Sequence, residues 1–172
     1  MPDTLTCIVL PVVFPAKKNI ITSRVGIPAT NDAEFERDTE IFSPDTVAAD
    51  LRTRYSLPVH STPVLRGQDF GLWEGCSLKG LSPDELFFLT QDPSFVPPQG
   101  ESQQHFFERI SAWLHDLPID QDDAVVMAGP TVMRMLMLCV LGCDAGKAAC
   151  LDLEAGVRFR LSRRGHWRMR LG

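Results

Sequence analysis

The chain has 172 residues, 44% of them hydrophobic and 23% charged, a balance that suits one soluble globular domain spanning residues 1–172 around one contiguous core. A formal net charge of −5, with a pI near 5.3, argues against a nucleic-acid binder that works by neutralising phosphates. No apolar run reaches the roughly 18 residues of a membrane span.

The first apolar stretch, TLTCIVLPVVF, has the length of a signal-peptide core. Acidic Asp3 precedes it in place of basic residues, and no small-residue cleavage pattern follows. It reads as a buried first strand over residues 5 to 13 of a cytoplasmic protein. Residues 15 to 40 are polar, lack a period and read as a long loop. IFSPDTVAADLRTRY then gives a short strand and a helix, with Ser43 as N-cap, Pro44 at the first helical position and Asp45 in the first turn.

LPVHSTPVL returns as a strand over residues 58 to 64. RGQDFGLWEGCSLKG follows as a glycine-rich loop, and SPDELFFLTQ opens another helix with the same Ser-Pro-Asp start. Residues 101 to 117 form the clearest helix, because Phe106, Ile110, Trp113, Leu114 and Leu117 build one apolar stripe. A buried strand over 124 to 128 leads through Gly129 and Pro130 into a helix over 131 to 141. That helix is apolar nearly all round apart from Arg134, so it needs cover on most sides. GVRFRLSRRGHWRMR closes the chain as an antiparallel hairpin around Arg164 and Gly165, and its arginines read as a solvated strand face. Strands alternating with helices define an α/β fold, a three-layer α/β/α sandwich whose mostly parallel sheet is covered on both faces.

Little in this pattern carries chemistry. HExxH, GxSxG and P-loop motifs are lacking. His60 falls on a short strand, His115 on the polar side of a helix and His166 in the hairpin, all positions for solvent or structural hydrogen bonding. His105, near a helix start after PPQGESQQ, is placed for a pocket role. The acidic group Asp120, Asp122 and Asp123 precedes a strand at its amino end, and a solvated turn is expected there. The five cysteines, Cys7, Cys76, Cys139, Cys143 and Cys150, are odd in number and irregular in spacing, a poor disulfide framework. Cys139 and Cys143 lie four apart and could share a helix face, but they lack a neighbouring His or CxxC pair, so small buried core residues are expected and no metal site.

Four segments, in order, carry a resemblance that spans most of the chain. FSPDTVAADL, VLRGQDFGLWEGCSLKGL, VPPQGESQQHFFERISAWLHDL and AVVMAGPTVMRMLMLCVLG resemble successive motifs of the histidine phosphatase (phosphoglycerate mutase-like) superfamily, and the terminal GHWRMRL ends as many members do. The GxWxGxSL and terminal GxW features look most like the α-ribazole phosphatase-like branch, with a hint of cobalamin metabolism. The resemblance implies a phosphoglycerate mutase-like fold. It also implies where the family's catalytic groups would stand. The Arg-His-Gly that supplies the nucleophilic histidine falls at Leu10, Pro11 and Val12. The second histidine falls at Gly129, and the acid that protonates the leaving oxygen at Gly67. The phosphate-binding arginine after Ser-Pro has no counterpart, because Asp45, Thr46 and Val47 fill that turn.

The scaffold residues Gly71, Trp73, Gly75, Gly100, Glu101, Ser102 and Arg109 are retained, with Ser102 read as an N-cap and Glu101 as the partner of Arg109. The resemblance therefore implies the fold and argues against the activity, since function lives in the site. The expected protein is a catalytically degenerate member, a pseudoenzyme with no catalytic residue and no cofactor, that acts by binding or regulation. Its remnant pocket is expected at Pro11, Val12, Lys17, Gly67, Gly129 and Thr131, for a small anionic molecule or a protein partner, with no nucleic acid and no membrane. The amino end of the helix at Thr131 still favours an anion. Without flanking arginines, and with apolar Pro11 and Val12 opposite, the site is expected to be narrow and weak. Two alternatives stay open. One is a phosphatase or other hydrolase of a small phosphate ester that recruits His105, Glu74, Lys17 and Arg24. The other is a purely structural subunit whose old pocket is closed, and under any of these readings an oligomer stays open as well.

Overall fold

The structure is a computed structural model and describes residues 3–13, 19–29, 33–117 and 124–172. Six strands form one sheet: β1 (Asp3–Val9), β2 (Glu40–Ser43), β3 (Val59–Ser61), β4 (Ala124–Ala128), β5 (Arg158–Arg164) and β6 (His166–Leu171). Their order is β3-β2-β4-β1-β5-β6. The first four run parallel, while β5 joins β1 and β6 joins β5 antiparallel. The helices are α1 (Asp45–Tyr55), α2 (Pro83–Gln91), α3 (Gln103–Asp116) and α4 (Pro130–Leu141).

Strand alternation sorts the sheet residues between two cores. Leu5, Cys7, Val9, Val126, Ala128, Phe159 and Leu161 point to one side and pack with α3 and α4. Ile8, Leu10, Ile41, Val59, Val125 and Met127 point to the other side and pack with Val47, Ala48 and Leu51 of α1. This is the expected three-layer α/β/α arrangement. The apolar stripe of α3 buries Phe106, Ile110 and Leu114, and α4 buries six of its twelve residues, consistent with a helix covered on most sides.

Several local expectations need correction. The first strand ends at Val9 instead of continuing to residue 13, because Pro11 has no N–H to extend the ladder. Val12 instead bridges Val25 across an isolated antiparallel pair. The strand expected over 58 to 64 keeps only Val59–Ser61, since Pro63 starts a 3-10 turn through Leu65. Ser43 is not an N-cap. It is the last residue of β2, paired with Ser61, and Pro44 with ψ 142° takes the cap position without any side-chain cap bond. The residue before a proline is pushed toward extended backbone, which keeps Ser43 in the strand. By contrast, Ser82 of the second Ser-Pro-Asp start does cap α2, in a capping box with Glu85.

Covering of both sheet faces is also incomplete. On the α1 side, β5 and β6 expose Arg158, Arg160, Arg164, His166, Arg168 and Arg170. These two strands follow the last helix, so no crossover helix remains to cover that half of the face. No helix among the described residues is long and apolar enough to cross a membrane.

Candidate functional site

The four parallel strands end on the same side of the sheet, where ligands of open α/β sheets bind. A cavity of about 420 Å³ opens there, and the segment after each of the four strands contributes to it. Val13 comes from the segment after β1, Pro44 and Thr46 from that after β2, Leu65, Arg66 and Gly67 from that after β3, and Gly129 and Thr131 from that after β4. Ser23, Arg24 and Val25 complete the lining.

Those last three residues belong to a strap over the cavity, residues 22 to 26, held on both sides. On one side Val13 donates its N–H to Arg24 O at 3.0 Å and Gly26 donates to Pro11 O at 2.9 Å. On the other side the Glu74 carboxylate accepts four bonds. Thr22 Oγ1 donates to Oε1 at 2.8 Å, Ser23 N to Oε1 at 2.9 Å and Oε2 at 3.2 Å, and Ser23 Oγ to Oε2 at 3.2 Å. Backbone bonds between Ile21 and both Gly75 and Cys76 extend the clamp.

The strap packs closely on glycine at two positions. A Cβ placed on Gly129 would lie 2.6 Å from Val25 Cγ1, and one on Gly67 would lie 3.0 Å from Ser23 Cβ and 3.2 Å from Ser23 O. Gly129 has φ −69°, ordinary for any residue, so space and not backbone conformation calls for glycine there. The strap thus lies against the two positions at which the family resemblance puts the second histidine and the acid.

Two arginines flank the mouth, contrary to the expectation of none. Arg66 pairs with Asp45 in a bidentate contact, Nε to Oδ1 at 2.7 Å and Nη2 to Oδ2. The hydrogen bonds and charge of Arg66 hold the Asp45 carboxyl below its ordinary range. Arg24 lies on the strap and lines both this cavity and its neighbour.

The neighbouring cavity, about 570 Å³, shares Ser23, Arg24, Arg66 and Gly67 and adds Asp69, Glu74, Gly100, Glu101, His105 and Arg109. Arg109 organises its wall. It donates to Glu101 through Nε at 3.0 Å and Nη2 at 2.6 Å, to Gly67 O at 2.8 Å, to Arg66 O at 3.1 Å and to Val64 O. Glu101 also accepts the Asp69 N–H at 3.0 Å, so the pair ties residues 64 to 69 to α3. The expected Glu101–Arg109 pairing and the Ser102 N-cap are both present, the cap accepting His105 N at 3.0 Å. Gly71 (φ 55°) and Gly100 press the two flanking loops together, and a Cβ at either would meet backbone within 2.5 Å.

His105 lines the larger cavity with its side chain 68% exposed, Nδ1 3.5 Å from Glu101 Oε2. His60, His115 and His166 line neither cavity, and His60 stacks on Phe42 with centroids 4.8 Å apart. Of the residues expected around the remnant pocket, Gly67, Gly129 and Thr131 line the smaller cavity. Pro11 and Val12 lie behind the strap as its pairing partners, with Val13 facing the cavity in their place. Lys17 lies outside the described residues, as do Lys18 and the Asp120, Asp122 and Asp123 group. Cys139 lies in the last turn of α4 and Cys143 beyond its Gly142 cap, so the two do not share a helix face; both are free and half-buried against the core, not fully buried as expected. Among the described residues no group of His, Cys, Asp or Glu could hold a metal ion.

Sequence reasoning missed Arg66, Ser23, Thr46 and the packing role of Val25. Arg66 stood beside Gly67 in a quoted motif, a detectable signal, whereas Ser23 and Val25 lie in a stretch without period.

A six-stranded mixed sheet with helices on both faces, and a cavity where its parallel strands end, defines a phosphoglycerate mutase-like fold. The model of the histidine phosphatase superfamily (branch 1) matches residues 45–169, and the chain belongs to that superfamily. Among solved structures it is similar to the α-ribazole phosphatase from Shigella flexneri, at 19% identity and TM-score 0.78 over 98% of this chain and 95% of that one. The mycobacterial glucosyl-3-phosphoglycerate phosphatase is similar at 13% identity and TM-score 0.73, over 99% and 98% of the two chains. YhfR of Bacillus stearothermophilus is similar at 15% and 0.75, over 98% and 95%. At these identities the likeness is one of fold. No curated protein matches the sequence.

Proposed function

We propose that this chain is a catalytically degenerate member of its superfamily that binds an anionic molecule in the cavity beneath the strap and does not turn it over. The observation that carries this reading is the contact between Val25 and Gly129. Even a Cβ at position 129 would collide with the Val25 side chain, and Ser23 lies tightly against Gly67. Covalent phosphoryl transfer needs a nucleophile in line with phosphorus and an acid within hydrogen-bond reach of the leaving oxygen. The side chains around the smaller cavity are instead hydroxyls (Ser23, Thr46, Thr131), aliphatic groups and two guanidiniums. Such a set binds and orients an anion.

The ligand fits this chemistry in two parts. Its anionic group would meet Arg24, the Thr131 hydroxyl and the amino end of α4, where Pro130 removes one backbone donor but Thr131 and Val132 keep theirs. Its apolar part would lie on Val13, Val25 and Leu65. Since Arg66 is already engaged by Asp45, a bare anion gains little from it. Inorganic phosphate is therefore expected to bind with a dissociation constant on the order of 1 mM. Calorimetric titration checks this: Arg24→Ala should abolish the heat of binding, while unchanged binding by that variant would reject the site.

A second reading, hydrolysis of a small phosphate ester by replacement residues, has one observation in its favour. His105 is exposed in a cavity that also holds Arg24, Arg66 and Arg109. Glu74, the acid that reading would recruit, is spent on four hydrogen bonds to the strap.

A further inference from the structure

Strand β6 is the terminal strand of the sheet, and among the described residues no strand pairs with its outer side. Its two faces differ sharply. His166, Arg168 and Arg170 are exposed on the α1 side of the sheet, whereas Trp167, Met169 and Leu171 alternate with them on the other side. The register puts Arg170 directly opposite Arg160, Arg168 opposite Ser162, and His166 opposite Arg164. The cationic face is therefore two strands wide on a chain whose net charge is −5. Like charges directly opposite each other in a sheet are destabilising, and an added counter-charge relieves that cost.

We propose that β6 is a docking edge for an acidic strand of another protein, one that alternates carboxylate and apolar residues. An incoming strand pairs its backbone with the free N–H and C=O groups of the edge, and alternate side chains then supply specificity. Residues directly opposite one another lie about 5 Å apart on the same face. A carboxylate at every second position would meet His166, Arg168 and Arg170, with Arg160 behind them. The intervening residues would meet Trp167 and Met169, which already pack against the core, and Leu171, which is 65% exposed.

The same geometry disfavours a second copy of this chain. A two-fold antiparallel β6–β6 pair brings the two cationic faces together, arginine against arginine. Single-stranded nucleic acid is disfavoured as well, because the aromatic residues of the hairpin, Phe159 and Trp167, point to the opposite face and leave no platform for base stacking.

The test uses the full chain and fluorescent peptides in an anisotropy titration. The first peptide is Glu-Val-Glu-Ile-Glu-Val-Glu. The second has the same composition with the glutamates in one block, and the third is the first with alternate backbone amides N-methylated. The alternating peptide is expected to bind at least ~10-fold more tightly than either control, since both keep the charge and lose the pattern or the backbone donors. Reversing the exposed pair, Arg168→Glu with Arg170→Glu, should abolish that binding and create binding to the lysine counterpart of the same peptide. Equal affinity for all three peptides would reduce the face to unspecific charge and overturn the proposal. No binding of the alternating peptide would overturn it too. Tighter binding of a DNA duplex would assign the face to phosphates, and a dimer dissociated by the same double substitution would assign it to a second copy.

Discussion

Glycine at 129 and 67 makes room for a strap, and that relation can be measured residue by residue. Gly129→Ala places a methyl group 2.6 Å from Val25 Cγ1 at a backbone conformation alanine accepts. The steric conflict should cost about 1–3 kcal/mol of unfolding free energy in urea denaturation. Val25→Ala in the same chain should recover most of that loss, giving a favourable coupling in a double-mutant cycle. Additive effects would mean that the two side chains do not compete for one space. Asp45 offers a second test. Its carboxyl titrates below its ordinary value because Arg66 binds the ionised form. A lowered folded value adds stability that is complete above the unfolded value of about 3.9 and lost as pH falls through the folded value. Asp45→Asn should therefore flatten the acid limb of the stability profile, measured by thermal melts between about pH 2 and 6. It should also free Arg66 and tighten phosphate binding. The sequence resemblance singles out the glycines at 67 and 129, and both line the smaller cavity. What packs against them was not legible there, since Val25 acquires its meaning only when residues 22 to 26 fold back over a strand end about a hundred positions away.

At the level of elements, one side chain joins the most parts. Arg109 on α3 binds Glu101 and three carbonyls of the segment after β3, and so ties Gly67 to α3. Arg109→Leu would leave those carbonyls without this donor and the Glu101 carboxylate without its counter-charge, with the Asp69 N–H as its remaining hydrogen bond. The expected loss is about 3–5 kcal/mol, the scale for removing one partner of a buried ion pair, read from chemical denaturation. Lysine should not rescue it, because a point charge cannot reach four acceptors as a planar guanidinium does. A loss below ~1 kcal/mol would show that the pair behaves as a surface contact. The elements around it were largely readable. The stripe of α3, the continuous apolar run of β4 and the hairpin around Gly165 each announce themselves by period or punctuation. The shortfalls share a cause: Ser43, Pro11 and Pro63 lie at or beside prolines, where the lost N–H or the bias of the preceding residue moves a boundary that hydrophobic pattern alone would extend.

For the molecule as a whole, the fold and the chemistry proposed for it rest on different residues. The superfamily fold persists in the sheet order and in the cavity at the ends of the parallel strands. That cavity is lined by the strap, hydroxyls and two arginines. Enough of the fold was written in alternation and in motif order to be read before any coordinates. The composition of the cavity was only half legible, because it depends on loops whose residues lack period. The central claim, binding without turnover, is tested most directly by hydrolysis of a chromogenic phosphate monoester between about pH 4 and 9, a span that covers carboxylate and imidazole titration. A rate indistinguishable from background across that range is the predicted result. Robust turnover that disappears in a His105→Ala variant would contradict it and make His105 the replacement nucleophile.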